Sequence, residues 1–331
     1  MRKLLIFFVV LFAACSSDIT YTSLSGGIYG TIYHVKYRTN SIRPSIMQKN
    51  IENEMNKVNS SLSMFNKNST ISALNSNSTR DVDSLFMFMY KKAKVVNKET
   101  NGAFDITVAP LVDAWGFGVD TGSMPLKSKI DSIMEFVGMD KIFIKDGKLI
   151  KADPRIKIDA SSIAKGLGVD LVANYLENEG IENYIVEIGG EIRAKGINAS
   201  KKIWRVGLDK PIEDKTLSDR QLQMILNLNV GALATSGNYR NYIKSGGKRY
   251  GHIINPITGE SQQRDILSST VYAKDCMTAD AYATAFMVLG LKKSQKIAEK
   301  IKDIEVCFIY DSNEGHKLWK SKGFNFLLQN K

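Results

Sequence analysis

A chain of 331 residues, 44% hydrophobic and 24% charged, is long enough for one large domain or two intimate ones and has the balance of an ordinary packed protein. Its formal net charge is +11. The basic residues are scattered over helical solvent faces, as in Lys91, Lys92, Lys94 and the run from Lys292 to Lys302, with no arginine-rich stripe between aromatics, which argues against a nucleic-acid partner. Three cysteines without a C-x-x-C pair or a Cys/His cluster exclude a disulfide framework. Cys276 and Cys307 sit in apolar surroundings that read as core strands with buried thiols.

At the N-terminus, Met1-Arg2-Lys3 is a short positive segment and Leu4–Phe12 an apolar stretch too short for a stable membrane span. It runs through Ala13-Ala14 into Cys15, the pattern of a bacterial lipoprotein signal cut before a cysteine that then carries lipid. The expected division is a signal at 1–14, a lipidated Cys15 with a polar tether over 15–22, and a folded domain at 23–331. A plain secretory signal with an incidental cysteine is the alternative.

Residues 30–37 alternate polar and apolar and predict a strand. Ile46, Met47, Ile51, Met55 and Val58 recur at helical spacing over 43–58, and a short helix is expected to begin near Ser69, a good N-cap. A strongly apolar helix over 83–97 leads into a turn-rich aromatic loop over 101–118 and a short helix over 127–137. Strands are expected at 142–145, 148–151 and 155–158, then a helix over 162–179. Further strands are expected at 184–188, 191–197, 203–208, 221–228 and 231–235. The last third predicts a strand at 268–274, helices at 278–289 and 291–302, and strands at 304–310 and 317–320. The pattern is that of a mixed α+β enzyme, with loops between strands supplying the chemistry.

Four blocks carry candidate chemistry. In Gly102–Val108 (GAFDITV), with Trp115-Gly116-Phe117-Gly118 beyond it, aromatic, acid and hydroxyl groups could grip a planar ring, or simply fill a core. In Ile158–Asp170 (IDASSIAKGLGVD), a strand ends in an acid and a helix opens with Lys165 in its first turn, a setting for a phosphate. Asp159 or Ser161 could equally be an ordinary helix cap. Ala234–Gly259 holds one of three histidines, His252, between Thr235-Ser236-Gly237 and a turn from Asn255-Pro256 to Gly259. This is either a proton-exchanging site or a decorated tyrosine-rich hairpin. In Met277–Thr284 (MTADAYAT), Asp280 and Thr284 lie at i and i+4 on one helical face, a carboxylate and a hydroxyl suited to Mg²⁺ or to capping and packing.

Together these blocks resemble the ApbE-type flavin transferases. The pattern is met in order by Gly30-Thr31, FNKNSTISALN (65–75), GAFDITVAP, DASSIAKGLGVD, EIGGEIRAKG (187–196), TSGNYRNY, YGHIINPITG and TADAYAT. The resemblance implies an α+β, ApbE-like and T-fold-related fold, as a single domain or two intimate subdomains. It implies Mg²⁺-dependent cleavage of FAD, transfer of FMN through a phosphoester to a threonine of an exported acceptor flavoprotein such as a redox-pump flavin subunit, and release of AMP. Two alternatives are a metal-dependent FAD pyrophosphatase and a non-catalytic FAD-binding lipoprotein.

By motif, Tyr29, Phe65, Ala103, Phe104, Asp105, Asp159, Lys165, His252 and Ile253 would bind FAD. Asp280, Thr284 and the main-chain carbonyl of Ser162 would hold Mg²⁺, and His252 would accept the threonine proton. Tyr29 stands where a methionine is common, and Ala283 where some members carry a second aspartate. The expected location is the periplasmic face of the inner membrane or the outer membrane, through the lipid on Cys15.

Overall fold

In the TIYHVKYR segment the alternation puts Tyr33, Val35 and Tyr37 on one face, and these three are buried while Thr31, Ile32, His34, Lys36 and Arg38 are not. The same rule builds most strands of this computed structural model, which describes residues 20–118, 124–211, 221–237, 242–245, 248–261 and 265–328. In chain order the strands are β1 (Tyr21–Ile28), β2 (Thr31–Arg38), β3 (Ile142–Lys145), β4 (Lys148–Lys151), β5 (Tyr184–Ile188), β6 (Glu191–Lys195) and β7 (Trp204–Asp209). They continue as β8 (Leu222–Leu228), β9 (Val230–Gly237), β10 (Tyr242–Ser245), β11 (Lys248–Gly251), β12 (Ile266–Ala273), β13 (Ile304–Tyr310) and β14 (Lys317–Lys320). The helices are α1 (Pro44–Leu62), α2 (Thr70–Asn75), α3 (Ser84–Glu99), α4 (Ala109–Ala114), α5 (Lys127–Met134), α6 (Ser161–Asn178), α7 (Cys276–Leu289) and α8 (Leu291–Ala298).

Eight strands form one sheet in the order β1-β2-β5-β6-β9-β12-β13-β14, every neighbouring pair antiparallel. Three separate two-stranded pairs, β3-β4, β7-β8 and β10-β11, lie outside it. The helix α7 packs on β9 and β12, and α6 packs on α7 and β5. Almost every residue of α7 from Cys276 to Leu289 is buried, as expected of a helix that is apolar all round. At the α6–α7 crossing, a Cβ on Gly166 would come within 2.4 Å of the Cys276 carbonyl oxygen. Only glycine allows that backbone approach. The fold is thus a single α+β domain, with its largest core between the helices and the central strands.

Several expectations need correction. The tether over 15–22 runs into β1, so Tyr21 and Thr22 are already paired with Arg38 and Tyr37. Residues 155–158 are not a strand: Asn75 accepts from the Ile158 N–H at 2.7 Å and donates to its carbonyl at 2.8 Å, so a side-chain amide stands where a neighbouring strand would be. The expected loop over 101–118 contains a 3₁₀ turn (Ile106–Val108) and α4. The antiparallel strands β10 and β11 fit the tyrosine-rich hairpin offered for that block, though no strand bounds were expected there, and Cys276 opens a helix rather than lying in a strand. Cys276 and Cys307 are buried free thiols. Residues 1–19, with Cys15, and 238–241 of the TSGNYRNY block lie outside the described residues. Among the described residues no helix is long and apolar enough to cross a membrane.

Candidate active site

The N-terminal turns of α6 and α7 meet over the ends of β6 and β9 and enclose a cleft of about 350 Å³. Its lining brings together Ala103, Phe104, Asp105, Asp159, Ser162, Lys165, His252, Ile253, Asp280 and Thr284, residues that span nearly two hundred positions of sequence. Glu191, Thr235 and Ser236 complete the polar wall. Tyr29 and Phe65 do not line it. The Tyr29 hydroxyl donates to the Met55 carbonyl at 2.7 Å, and its ring lies under Gly168 of α6, where a Cβ would meet it at 2.8 Å. Burial raises the Tyr29 hydroxyl pKa, as suits a core contact. Phe65 is 75% exposed.

The position of α7 on α6 is fixed by Asp170. Its two oxygens accept from the Cys276 and Met277 N–H groups at 2.9 and 2.8 Å, and Arg193 pairs with it at 3.0 Å. These two N–H groups belong to the first turn of α7, which has no helical partners to offer them. Asp275 supplies the N-cap, accepting from the Thr278 N–H at 2.8 Å. Asp280 is therefore free of capping duty and points back across the seam, where its Oδ2 accepts from the Gly166 N–H at 2.9 Å. In a regular helix that N–H serves the Ser162 carbonyl. Here the Asp280 carboxylate takes that N–H, and Ser162 lines the cleft.

One charged cluster sits on this seam. The Lys165 ammonium donates to Glu191 Oε1 at 2.6 Å, and Glu191 is 3% exposed, with Oε2 buried and unpaired. Burial alone would lower the Lys165 pKa, but the Asp280 and Glu191 carboxylates outweigh it and raise it. Burial raises Asp280, opposed by Lys165 and by the Gly166 hydrogen bond. It also pushes Glu191 up to about 7, opposed by Lys165 and supported by Asp280. Two carboxylates thus face one ammonium, and an anionic ligand entering here would meet an excess of negative charge unless a cation came with it.

The acids of the two upstream motifs are partly spent on local structure. Asp105 caps the Ile106–Val108 turn, accepting from the Thr107 N–H at 2.7 Å and hydroxyl at 2.6 Å, while its Oδ2 accepts from the Met139 N–H at 2.9 Å. Burial raises its pKa against these bonds. Asp159 accepts from the Ser161 N–H at 2.7 Å and is likewise raised by burial. Local hydrogen bonding and cleft lining coexist in both residues, though the N-cap of α6 is Ala160 rather than Asp159 or Ser161.

His252 follows β11 and meets the Phe117 ring edge-on, 6.4 Å between centroids. The turn behind it is held from several sides. Asn255 Oδ1 accepts from the Ile257 N–H at 2.8 Å, Gly259 N–H returns to the Asn255 carbonyl at 2.8 Å, and Ser261 donates to the Gly251 carbonyl at 2.6 Å. Trp115 stacks on Tyr250 at 5.4 Å and donates to the Gly259 carbonyl at 2.8 Å. Gly259 has φ of +72°, a conformation that suits glycine.

Asp280, Thr284 and the Ser162 carbonyl offer only oxygen donors, the set a hard dication prefers. Thr284 Oγ1 lies 3.2 Å from Ser236 Oγ. Among the described residues no group of three or more His, Cys, Asp or Glu stands together as a metal cluster. Glu191 was not among the residues expected in the site. Its block, EIGGEIRAKG, carried the resemblance, but nothing in it distinguishes the inward acid, Glu191, from Glu187. Asn75, which pins the chain just before Asp159, also went unassigned.

The ApbE family model matches residues 29–308. The FAD:protein FMN transferase of Vibrio cholerae is 38% identical over 97% of this chain and 96% of its own length. That of Haemophilus influenzae is 37% identical over 96% and 95%. The solved structure of the flavin transferase ApbE from Vibrio cholerae superposes with a TM-score of 0.85 at 36% identity, covering 93% of this chain and 99% of that one. The ApbE protein from Thermotoga maritima superposes at 0.82 with 27% identity, covering 94% of this chain and 100% of that one. With both a match over most of its length and relatives this similar, the chain belongs to the ApbE family.

Proposed function

We propose that this protein is an FAD:protein FMN transferase, cleaving FAD with Mg²⁺ and passing FMN to a threonine hydroxyl of an acceptor protein, with AMP as the other product. The observation that carries the reading is the single cleft that gathers a buried carboxylate, an ammonium, a histidine and an apolar floor of Phe104 and Ile253. The names of the relatives supply the substrate.

In this reading Asp280, Thr284 and the Ser162 carbonyl hold Mg²⁺. When bound, it offsets charge on the phosphoryl oxygens. Lys165 binds the diphosphate as well. Ala103, Phe104 and Ile253 pack against the ligand, and the turn around His252 closes over it. His252 takes the threonine proton as the threonine oxygen bonds to the flavin-side phosphorus. The bond from that phosphorus to the bridging oxygen breaks, and the oxygen leaves with AMP. A positioned base contributes about 10²–10⁴-fold to such a step.

Incubating the protein with FAD, Mg²⁺ and an acceptor protein carrying the threonine tests this. FMN-sized mass on the acceptor with equimolar AMP is expected. Free FMN and AMP would make the protein a pyrophosphatase, and intact bound FAD would make it a flavin carrier. We propose further that the chain is exported and anchored by lipid on Cys15, on the strength of the N-terminal sequence. Mass spectrometry of the N-terminal peptide, showing diacylglyceryl-cysteine or an unmodified thiol, decides it.

A further inference from the structure

The seam contains a carboxylate that neither the capping bonds nor the proposed metal ligands use. Glu191 opens β6 directly after the Gly189-Gly190 turn, and its side chain enters the cleft from the sheet, opposite the helices that supply Lys165 and Asp280. We propose that Glu191 is the positioning residue for Lys165, holding its ammonium at the diphosphate position, and that the two side chains function as one unit. The inference rests on the reading of Lys165 as the diphosphate contact.

The geometry supports this in three ways. The Nζ–Oε1 distance of 2.6 Å is that of a charge-assisted hydrogen bond, and among the described residues Glu191 is the one carboxylate within ion-pair distance of the lysine. A lysine side chain has four rotatable bonds and loses much freedom when fixed. A partner on a rigid strand supplies the fixing that a flexible chain lacks. Finally, Glu191 is 3% exposed at the cleft wall and its Oε2 has no partner, so removing Lys165 would leave a buried carboxylate uncompensated. Each residue is thus costly without the other. The charged and titratable groups around the pair are Asp280 and Cys276 on α7, with Asp105, Asp159 and His252 on the other walls of the cleft.

The test is a double-mutant cycle with two readouts, FAD affinity by flavin fluorescence in the presence of Mg²⁺ and the midpoint of thermal unfolding without ligand. Glu191→Gln keeps the shape and removes the charge. It is expected to weaken FAD binding by about 10- to 100-fold, the worth of a hydrogen bond to a charged group. Lys165→Met is expected to weaken it at least as much. The double variant Glu191→Gln/Lys165→Met should bind no worse than Lys165→Met alone. Independent, multiplying losses would overturn the proposal, as would wild-type affinity in Glu191→Gln.

In the melting experiment Lys165→Met should lower the midpoint, and adding Glu191→Gln should restore part of the loss. A further drop would show that Glu191 stabilises the fold independently of Lys165. If Glu191→Gln does not fold, Lys165→Met and the double variant still decide the matter by this rescue. Both readouts are independent of turnover. Failure of the wild-type protein to transfer FMN would refute the proposed function and leave the coupling of the two residues to be decided on its own.

Discussion

The two walls of the cleft are built on opposite plans. The α6–α7 seam is backbone against backbone, closed by Gly166, clamped by Asp170 and Arg193, and loaded with buried charge. The facing wall, from Tyr250 to Ser261, is a turn held by side-chain-to-backbone bonds, with Ile257 55% exposed at its tip. Lys165 and Asp280 are set where helix backbone packs closely. The imidazole proposed as the base lies at the start of a turn whose tip, Ile257, is exposed. In the seam, fold and chemistry use the same bonds; in the turn they are separable.

This contrast is open to attack, starting with the largest effect. Gly166→Ala places a Cβ against the Cys276 carbonyl and should force the helices apart, costing about 1–3 kcal/mol or more and abolishing transfer with it. Full activity at an unchanged melting midpoint would show that the seam has room to give. Asp280→Ala should reduce Mg²⁺-dependent turnover by about 10²–10³-fold or more and also lower the melting midpoint, because the Gly166 N–H loses its acceptor. Titrating Mg²⁺ against the variant checks the first part and calorimetry the second.

On the other wall, His252→Ala should still bind FAD and Mg²⁺, yet transfer about 10²–10⁴-fold more slowly. Lost binding with normal turnover per bound FAD would remove His252 as the base. Two smaller changes lie outside the cleft. Tyr29→Phe should cost about 1 kcal/mol through its bond to Met55 and leave FAD affinity alone. Phe65→Ala should change FAD affinity by less than about twofold, as for an exposed side chain remote from the site. A large loss of affinity in either would bring that ring back to the ligand, where the family resemblance had put it.

The same two regions show what could be read in the residues. The period of two in β2 and β5, and the apolar run of α7, are local signals and were legible. So was the i, i+4 pair of Asp280 and Thr284. Three other features depend on partners far along the chain. The Ile156/Ile158 alternation reads as a strand, but the Asn75 side chain takes the bonds a strand would need. The strand β1, YTSLSGGI, is polar and glycine-rich and becomes a strand by pairing with β2. Glu191 is one of two acids flanking a glycine turn, and only the arrival of Lys165 from α6 distinguishes it.

Two glycines in α6, Gly166 and Gly168, have a consequence for the order of folding. Each weakens the isolated helix by about 1 kcal/mol relative to alanine. Each lies where another part of the chain presses close, Gly166 at α7 and Gly168 at Tyr29. The first turns of α6 therefore gain their stability on docking rather than before it, and substitutions there should show low φ-values, changing the unfolding rate far more than the folding rate. A chain in which α6 has not docked on α7 would not hold Lys165 and Asp280 in register, so the proposed site would be completed only when the two helices meet.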